Sequence, residues 1–328
     1  MLSPRNIFRT ARALLASPRP LVLFYKPTAR CDCRCRFCDS WVGQPDHDDV
    51  LPSADVLSLL DRAAASGFTT YTVWGGEPFI VPALPEWLAY ARARGLETIV
   101  CTSGSRLEER AAEFTPHVRK LLLSLEAADE RQDKLRGTPG LFKKVVAGLD
   151  EWRRRRGGPV TLWSNLSREN ADQVGPIARF AAEHGAEVEF FPAAVYPGFN
   201  EKLVLSAEER REVFDRCAAE KRAGLPVRST YWALELMGSG RPFRCNIPRL
   251  SVQVFADGKI YPCEPRVIPG LAPYGDINST DLASFHRRPD FIRAGRELAA
   301  CNRCLLPCVG NVADSLIAQS LRKFLPGL

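Results

Sequence analysis

The sequence predicts an α/β protein in which a partial (β/α)6 barrel carries a small C-terminal domain, and three observations lead there. Short β-branched and aromatic runs alternate with helical apolar faces, the pattern of a parallel sheet with right-handed crossovers. Glycines close several of the helical stretches, at Gly67, Gly95 and Gly185. The alternation then breaks around Gly238 to Arg241, where a cysteine-rich tail begins. Six strand units fall short of the eight of a closed barrel, hence a partial one.

Leu21 to Tyr25 is a compact apolar run and reads as the first strand, leading through Lys26 to Arg30 into a loop rich in cysteine. Leu51-Pro52-Ser53 opens a helix with Ser53 as its N-cap and Val56, Leu57, Leu59, Leu60 and Ala63 on its apolar face. Thr69 to Trp74 is β-branched and aromatic, hence a strand. Helices over Pro85 to Arg94, Leu107 to Phe114, Phe142 to Arg155 and Ala171 to His184 then alternate with strands over Glu97 to Cys101, Lys120 to Leu125, Val160 to Asn165 and Val188 to Phe191. Ser206 to Ala223 is a charged helix that buries Val213, Phe214 and Cys217. The expected division is an amphipathic segment over 1–18, the barrel over 19–225 and the second domain over 226–328.

The 328 residues are 45% hydrophobic, enough for a sizeable core. A net charge of +7 is spread along the chain, and no basic run is interleaved with aromatic residues, so nucleic-acid binding is not expected. Eleven cysteines are too few for a disulfide scaffold of this length, and no secretory signal precedes them, which points to the cytoplasm. No run of 18 apolar residues exists. Ile7 to Leu15 is basic and amphipathic; it reads as a helix closing the bottom of the barrel, with peripheral contact to an anionic membrane face as the other reading.

The chemistry concentrates at Cys31-Asp32-Cys33-Arg34-Cys35-Arg36-Phe37-Cys38. Four thiols in eight residues suit a disulfide, a zinc ion or an iron–sulfur cluster. Cys31, Cys35 and Cys38 are spaced C-x3-C-x2-C, so they can hold three corners of a four-iron cluster and leave the fourth open. After the second strand come Gly75-Gly76-Glu77-Pro78, where missing β-carbons let the backbone approach a ligand; a plain turn is the alternative. A second group runs C-x12-G-x4-C from Cys245 to Cys263 around an Asp257-Gly258 hairpin turn, followed by Cys301, Cys304 and Cys308. Four of these thiols complete a second cluster or a structural zinc site.

In order and spacing these motifs resemble the radical SAM superfamily, and the tail resembles its SPASM/twitch branch, in the shorter twitch-like version. The resemblance implies a partial TIM-like barrel with a twitch-like iron–sulfur domain. It implies a 4Fe-4S cluster on Cys31, Cys35 and Cys38 with S-adenosylmethionine at the open iron, and one auxiliary 4Fe-4S cluster on Cys245, Cys263, Cys301 and Cys304. Phe37 stands where the family has an aromatic residue, and Cys33 departs from the usual apolar one. Gly75, Gly76 and Glu77 match the family's GGEP element, which holds the cofactor's amino group. Thr102-Ser103-Gly104 resembles its Thr-Asn-Gly, and Ser124-Leu125-Glu126 its Ser-Leu-Asp. Ser124, Glu126, Arg136 and Asn165 are further cofactor contacts, with Arg136 pairing the carboxylate.

The implied activity is reductive cleavage of S-adenosylmethionine to a 5′-deoxyadenosyl radical that takes a hydrogen from a substrate C–H bond. The expected outcome is dehydrogenation of a small polar, sugar- or cyclitol-like molecule, with the auxiliary cluster accepting an electron and a flavodoxin or ferredoxin supplying the first one. Epimerisation is the redox-neutral alternative, with Cys217 or Cys308 as hydrogen donor. Peptide or lipid modification are others, and a non-catalytic zinc protein is the alternative of another class. Phe199, Arg228, Tyr231, Trp232 and Glu235 lie where they could border the pocket.

Overall fold

A computed structural model describes residues 19–38, 50–268, 270–301 and 304. The segment over 1–18 and Cys308 lie outside the described residues. The barrel units run β1 (Val22–Tyr25), α1 (Ser53–Ala65), β2 (Thr70–Val73), α2 (Leu84–Ala93), β3 (Glu97–Thr102), α3 (Leu107–Phe114), β4 (Lys120–Ser124), α4 (Arg131–Arg136), α5 (Leu141–Arg154), β5 (Val160–Leu166), α6 (Val174–Glu183) and β6 (Glu187–Pro192). After these come α7 (Ala207–Arg222), α8 (Tyr231–Ser239), α9 (Ile247–Leu250), β7 (Ser251–Val254), β8 (Lys259–Tyr261), β9 (Gly275–Asp276) and α10 (Pro289–Glu297). The fold is the expected partial barrel: β1 to β6 pair in parallel and in chain order.

The sheet does not stop at β1. Its order is β6-β5-β4-β3-β2-β1-β7-β8-β9, with β7 parallel to β1 and the β7–β8 hairpin antiparallel. The hairpin expected at Asp257-Gly258 is therefore an extension of the barrel sheet itself. Gly258 sits at φ +77°, the left-handed geometry its turn demands.

Alternation along the strands separates two faces. Tyr25 and Tyr71 stack outward, and Tyr25 meets the buried Trp87 of α2 at 6.0 Å. Ser53 is not the N-cap of α1. It is the first helical residue, and its hydroxyl accepts the Trp87 indole N–H at 3.0 Å, so it bonds across to α2. Ser206 does cap α7, in a reciprocal capping box with Glu209. The alternate positions line the inner face: by register these are Phe24, Thr72, Ile99 and Lys120, then Leu122 and Thr161, then Trp163 and Glu189, then Asn165 and Phe191. That face is polar at many positions, which a folding core alone does not require.

Candidate active site

The loop from Cys31 to Cys38 leaves the C-terminal end of β1, where ligands of parallel barrels sit. It is fixed from three directions. On one side, the N–H groups of Arg34 and Arg36 donate to the carbonyls of Arg136 and Leu135 at the end of α4, at 2.9 and 3.1 Å. Gly137 makes this approach possible, because a β-carbon there would lie 2.4 Å from the Arg34 carbonyl oxygen. On another side, Asp32 accepts the Ser105 hydroxyl at 2.8 Å and faces Arg106 at 3.3 Å. On the third, buried Asn200 donates to the Phe37 and Ala194 carbonyls at 3.2 and 2.8 Å.

Within the loop the thiols crowd together. The Cys33 sulfur lies between those of Cys31 and Cys35, and hydrogen bonding to it pushes both neighbours' pKa values up while its own goes down. Cys31 and Cys33 are within 4.8 Å of each other. The Cys38 N–H turns back to the Cys35 carbonyl at 3.4 Å. A set of converging sulfurs at a strand end, with one arginine beside them, has the chemistry of a thiophilic metal site.

Gly75, Gly76 and Glu77 press their backbone against the connector, Lys26 to Arg30, that leads from β1 into this loop. The Gly76 N–H donates to the Thr28 carbonyl at 3.1 Å and the Glu77 N–H to the Arg30 carbonyl at 2.8 Å. A β-carbon on Gly76 would sit 1.9 Å from that same Arg30 oxygen. Gly75, at φ +110°, leaves room for the stem of buried Lys26, whose ammonium lies over the rings of Trp74 and Phe255 at 5.9 and 5.4 Å. Phe255 belongs to the β7–β8 hairpin, so this contact joins the GGEP turn to the C-terminal extension.

The Glu77 carboxylate is fully buried and takes four donors: the Phe79 N–H, the Thr102 hydroxyl, and the N–H and hydroxyl of Ser103, at 2.6 to 2.9 Å. It braces β2 to the end of β3. Burial outweighs these donors and pushes its pKa from 4.5 up to about 7. A carboxyl held above its unfolded value contributes stability that is complete below about pH 4.5 and is lost as pH rises through about 7. The metal-free chain is expected to lose about 3 kcal/mol through this group across that window. Urea unfolding at several pH values checks it: Glu77→Gln should flatten this part of the profile, and parallel profiles would remove the assignment.

Glu126 and Arg136 form a buried bidentate pair, Nε to Oε2 at 2.5 Å and Nη2 to Oε1 at 2.7 Å. The remaining nitrogen, Nη1, is 3.6 Å from the Cys35 sulfur, and the guanidinium lies 5.3 Å from the Phe37 ring centroid. Ser124 and Asn165 are half-buried on the inner face, and Asn165's carbonyl accepts from Asn170 at 2.8 Å. Three inner-face atoms, Trp74 Nε1, Thr161 Oγ1 and Gln253 Oε1, have no hydrogen-bond partner among the described residues. Deeper in, Glu189 accepts the Trp163 indole N–H at 3.2 Å and faces Arg228 at 3.5 Å. Burial, then Arg228, lowers the Lys120 ammonium to about 8.

Cys217 is buried on α7, outside the sheet, away from this face. Cys101 is on it: it alternates with the outward Val100, and its thiol is pushed up by burial and by the charge of Glu77. Inward alternation on β3 was the one sequence signal for Cys101. Asn200 and Ser105 had none. Tyr231 and Trp232 are exposed on α8.

At the far end of the sheet, Cys245, Cys263, Cys301 and Cys304 come together across 60 residues of chain. The Cys245 N–H donates to the Ala299 carbonyl at 2.9 Å. Cys263 feels the charge of Cys304 and Cys245, and Cys245 that of Cys301, while burial pushes both thiols up.

Residues 25–181 match the model of the radical SAM superfamily. That stretch is a radical SAM domain. The chain is 28% identical over 199 residues to the Fe-coproporphyrin III synthase of Methanosarcina barkeri, covering 59% of this chain and 50% of the relative. It is 31% identical over 175 residues to the PqqA peptide cyclase of Xanthomonas campestris pv. campestris, covering 52% and 46%. The chain thus spans about half the length of these curated relatives. In structure it is similar to SuiB of Streptococcus suis bound to S-adenosylmethionine (TM-score 0.68, 15% identity, 84% of this chain and 67% of that one). It is equally similar to anSMEcpe with bound AdoMet (0.68, 15%, 93% and 98%). Radical SAM proteins bind a 4Fe-4S cluster and S-adenosylmethionine, and the thiol loop against Gly75 to Glu77 fits both. No described helix is long and apolar enough to cross a membrane.

Proposed function

We propose that this radical SAM chain oxidises a polar substrate at a C–H bond on the inner face of the barrel. The observation that carries the reading is the convergence of the Cys31–Cys38 thiols with the backbone of Gly75 to Glu77, above an inner face with unpartnered polar atoms. Cys31, Cys35 and Cys38 would hold the first cluster, and Cys245, Cys263, Cys301 and Cys304 the second. Once bound, these groups supply a 5′-deoxyadenosyl radical from S-adenosylmethionine and an electron acceptor, respectively. The protein's own part is positional. Gly76 and Glu77 offer backbone to the cofactor, Trp163 and Phe191 wall the space with rings 5.6 Å apart, and Glu189, Arg228 and Lys120 offer charge to the substrate.

Four thiolates at the second site suit a cluster, with zinc as the alternative occupant. A sugar- or cyclitol-like substrate remains the dehydrogenation reading, without support from relatives named for a peptide and a porphyrin. A flavodoxin or ferredoxin fits as the electron donor.

Anaerobic iron and sulfide counting tests the proposal, with about eight irons per chain expected. In Cys263→Ala the count should fall by about four while 5′-deoxyadenosine formation persists. Zinc without labile sulfide would overturn the reading. A redox-neutral outcome has one observation in its favour, the protonated Cys101 thiol on the inner face. It would give its hydrogen to a substrate radical and regain a proton and an electron from the low-potential donor. Deuterium from heavy water in the product, lost in Cys101→Ala, distinguishes this outcome from oxidation.

A further inference from the structure

Arg136 is engaged on all three nitrogens, and the geometry assigns it a task beyond holding Glu126. We propose that Arg136 tunes the reduction potential of the cluster held by Cys31, Cys35 and Cys38, through a hydrogen bond from Nη1 to the Cys35 thiolate. The proposal rests on the reading that those three cysteines hold a cluster.

Four observations support it. The Nη1 to sulfur separation of 3.6 Å is hydrogen-bonding range for a sulfur acceptor, which is larger than oxygen. Glu126 fixes the direction of that nitrogen, because its carboxylate occupies Nε and Nη2 in a planar fork that lysine cannot reproduce. The thiol loop is pinned to the same helix end by backbone bonds on both sides of Cys35, from Arg34 and Arg36, so donor and acceptor cannot drift apart. The whole arrangement is buried, Glu126 fully and Arg136 to 9% exposure, so water does not screen it.

An N–H donor on a ligating sulfur favours the reduced, more negative cluster and so raises its potential. Glu126 has the opposite effect, since its charge offsets part of the guanidinium's. The pair acts as a setting with two adjustable ends. With its three nitrogens engaged by Glu126 and Cys35, Arg136 is a positioning residue acting through Cys35.

The test is an EPR-monitored reductive titration of the reconstituted full chain, reading the signal that changes when S-adenosylmethionine is added. Iron and sulfide are counted in every sample. In the double variant Arg136→Met with Glu126→Gln, which leaves no unpaired buried charge, the ratio of reduced to oxidised cluster at a fixed potential should fall about tenfold, equivalent to about 59 mV for one electron. In Glu126→Gln alone, with the arginine no longer offset, the shift should run the other way. A purely structural latch would move stability or iron loading and leave the potentials of the loaded samples together. Equal potentials in loaded wild-type and variant chains, or two shifts of the same sign, overturn the proposal. A wild-type chain without iron at the first site would instead overturn the cluster reading beneath it.

Discussion

A Cys35→Ala chain is expected to lose about four irons and all measurable formation of 5′-deoxyadenosine. Cys35 is buried to 5% exposure, at the centre of the thiol loop, with the Cys33 sulfur on one side and Arg136 Nη1 on the other. If Cys35 is a corner ligand, alanine removes it from a position that solvent does not reach, so no exogenous thiol replaces it easily. Cys33→Ala is the informative partner. Its sulfur already lies beside Cys31 and Cys35, and if Cys31, Cys35 and Cys38 are the ligands its removal should leave iron content and cleavage intact. Should Cys35→Ala keep its iron while the Cys33→Ala, Cys35→Ala double variant loses it, Cys33 is a ligand by substitution and the assignment must be redrawn.

Gly76→Ala should come next in severity. The added β-carbon would lie 1.9 Å from the Arg30 carbonyl oxygen and 2.8 Å from the carbonyl carbon of Ala29, both backbone atoms that cannot rotate aside. Relief requires β2's end and the approach to the thiol loop to separate, which breaks the Glu77 to Arg30 bond at 2.8 Å. A cost of about 1–3 kcal/mol in stability follows from such overpacking. S-adenosylmethionine binding should weaken at least about tenfold, which takes only about 1.4 kcal/mol of lost backbone contact. Gly67→Ala serves as the control: at φ +93° it is strained, but its β-carbon meets nothing within 4 Å. It should lower the melting temperature without touching binding. Equal effects of the two substitutions on binding would mean that Gly76 matters only for the fold.

The strands were legible because alternation and β-branching are local properties, as in Thr69 to Trp74, and the helices because glycine marked their ends. What stayed hidden depends on distant partners. The six-residue helix Arg131–Arg136 is short and charged, and the chain that satisfies its last carbonyls is the thiol loop, a hundred residues earlier. Ser53 has a capping residue's chemistry but is drawn to Trp87 on the next helix. The Asp257-Gly258 turn announces a hairpin, yet nothing local says that its first arm, Ser251 to Val254, will pair along its other edge with β1. In the site, cysteine spacing and the Gly-Gly pair could be read directly. The saturation of Glu77 by Ser103 and Thr102, the alliance of Arg136 with Glu126, and the clasp of Asn200 on Phe37 could not, since each joins elements that only folding brings together.

Because β1 is hydrogen-bonded along both edges, to β2 over Val22–Tyr25 and to β7 over the same four residues, the two thiol clusters are built on one continuous ladder. Their separation is then a matter of rungs counted along a sheet and not of how two bodies happen to dock. Any current passing between them would cross a path whose length thermal motion alters little, and a cut placed before Ser251 would strip the central strand of half its ladder along with three of the four C-terminal thiols.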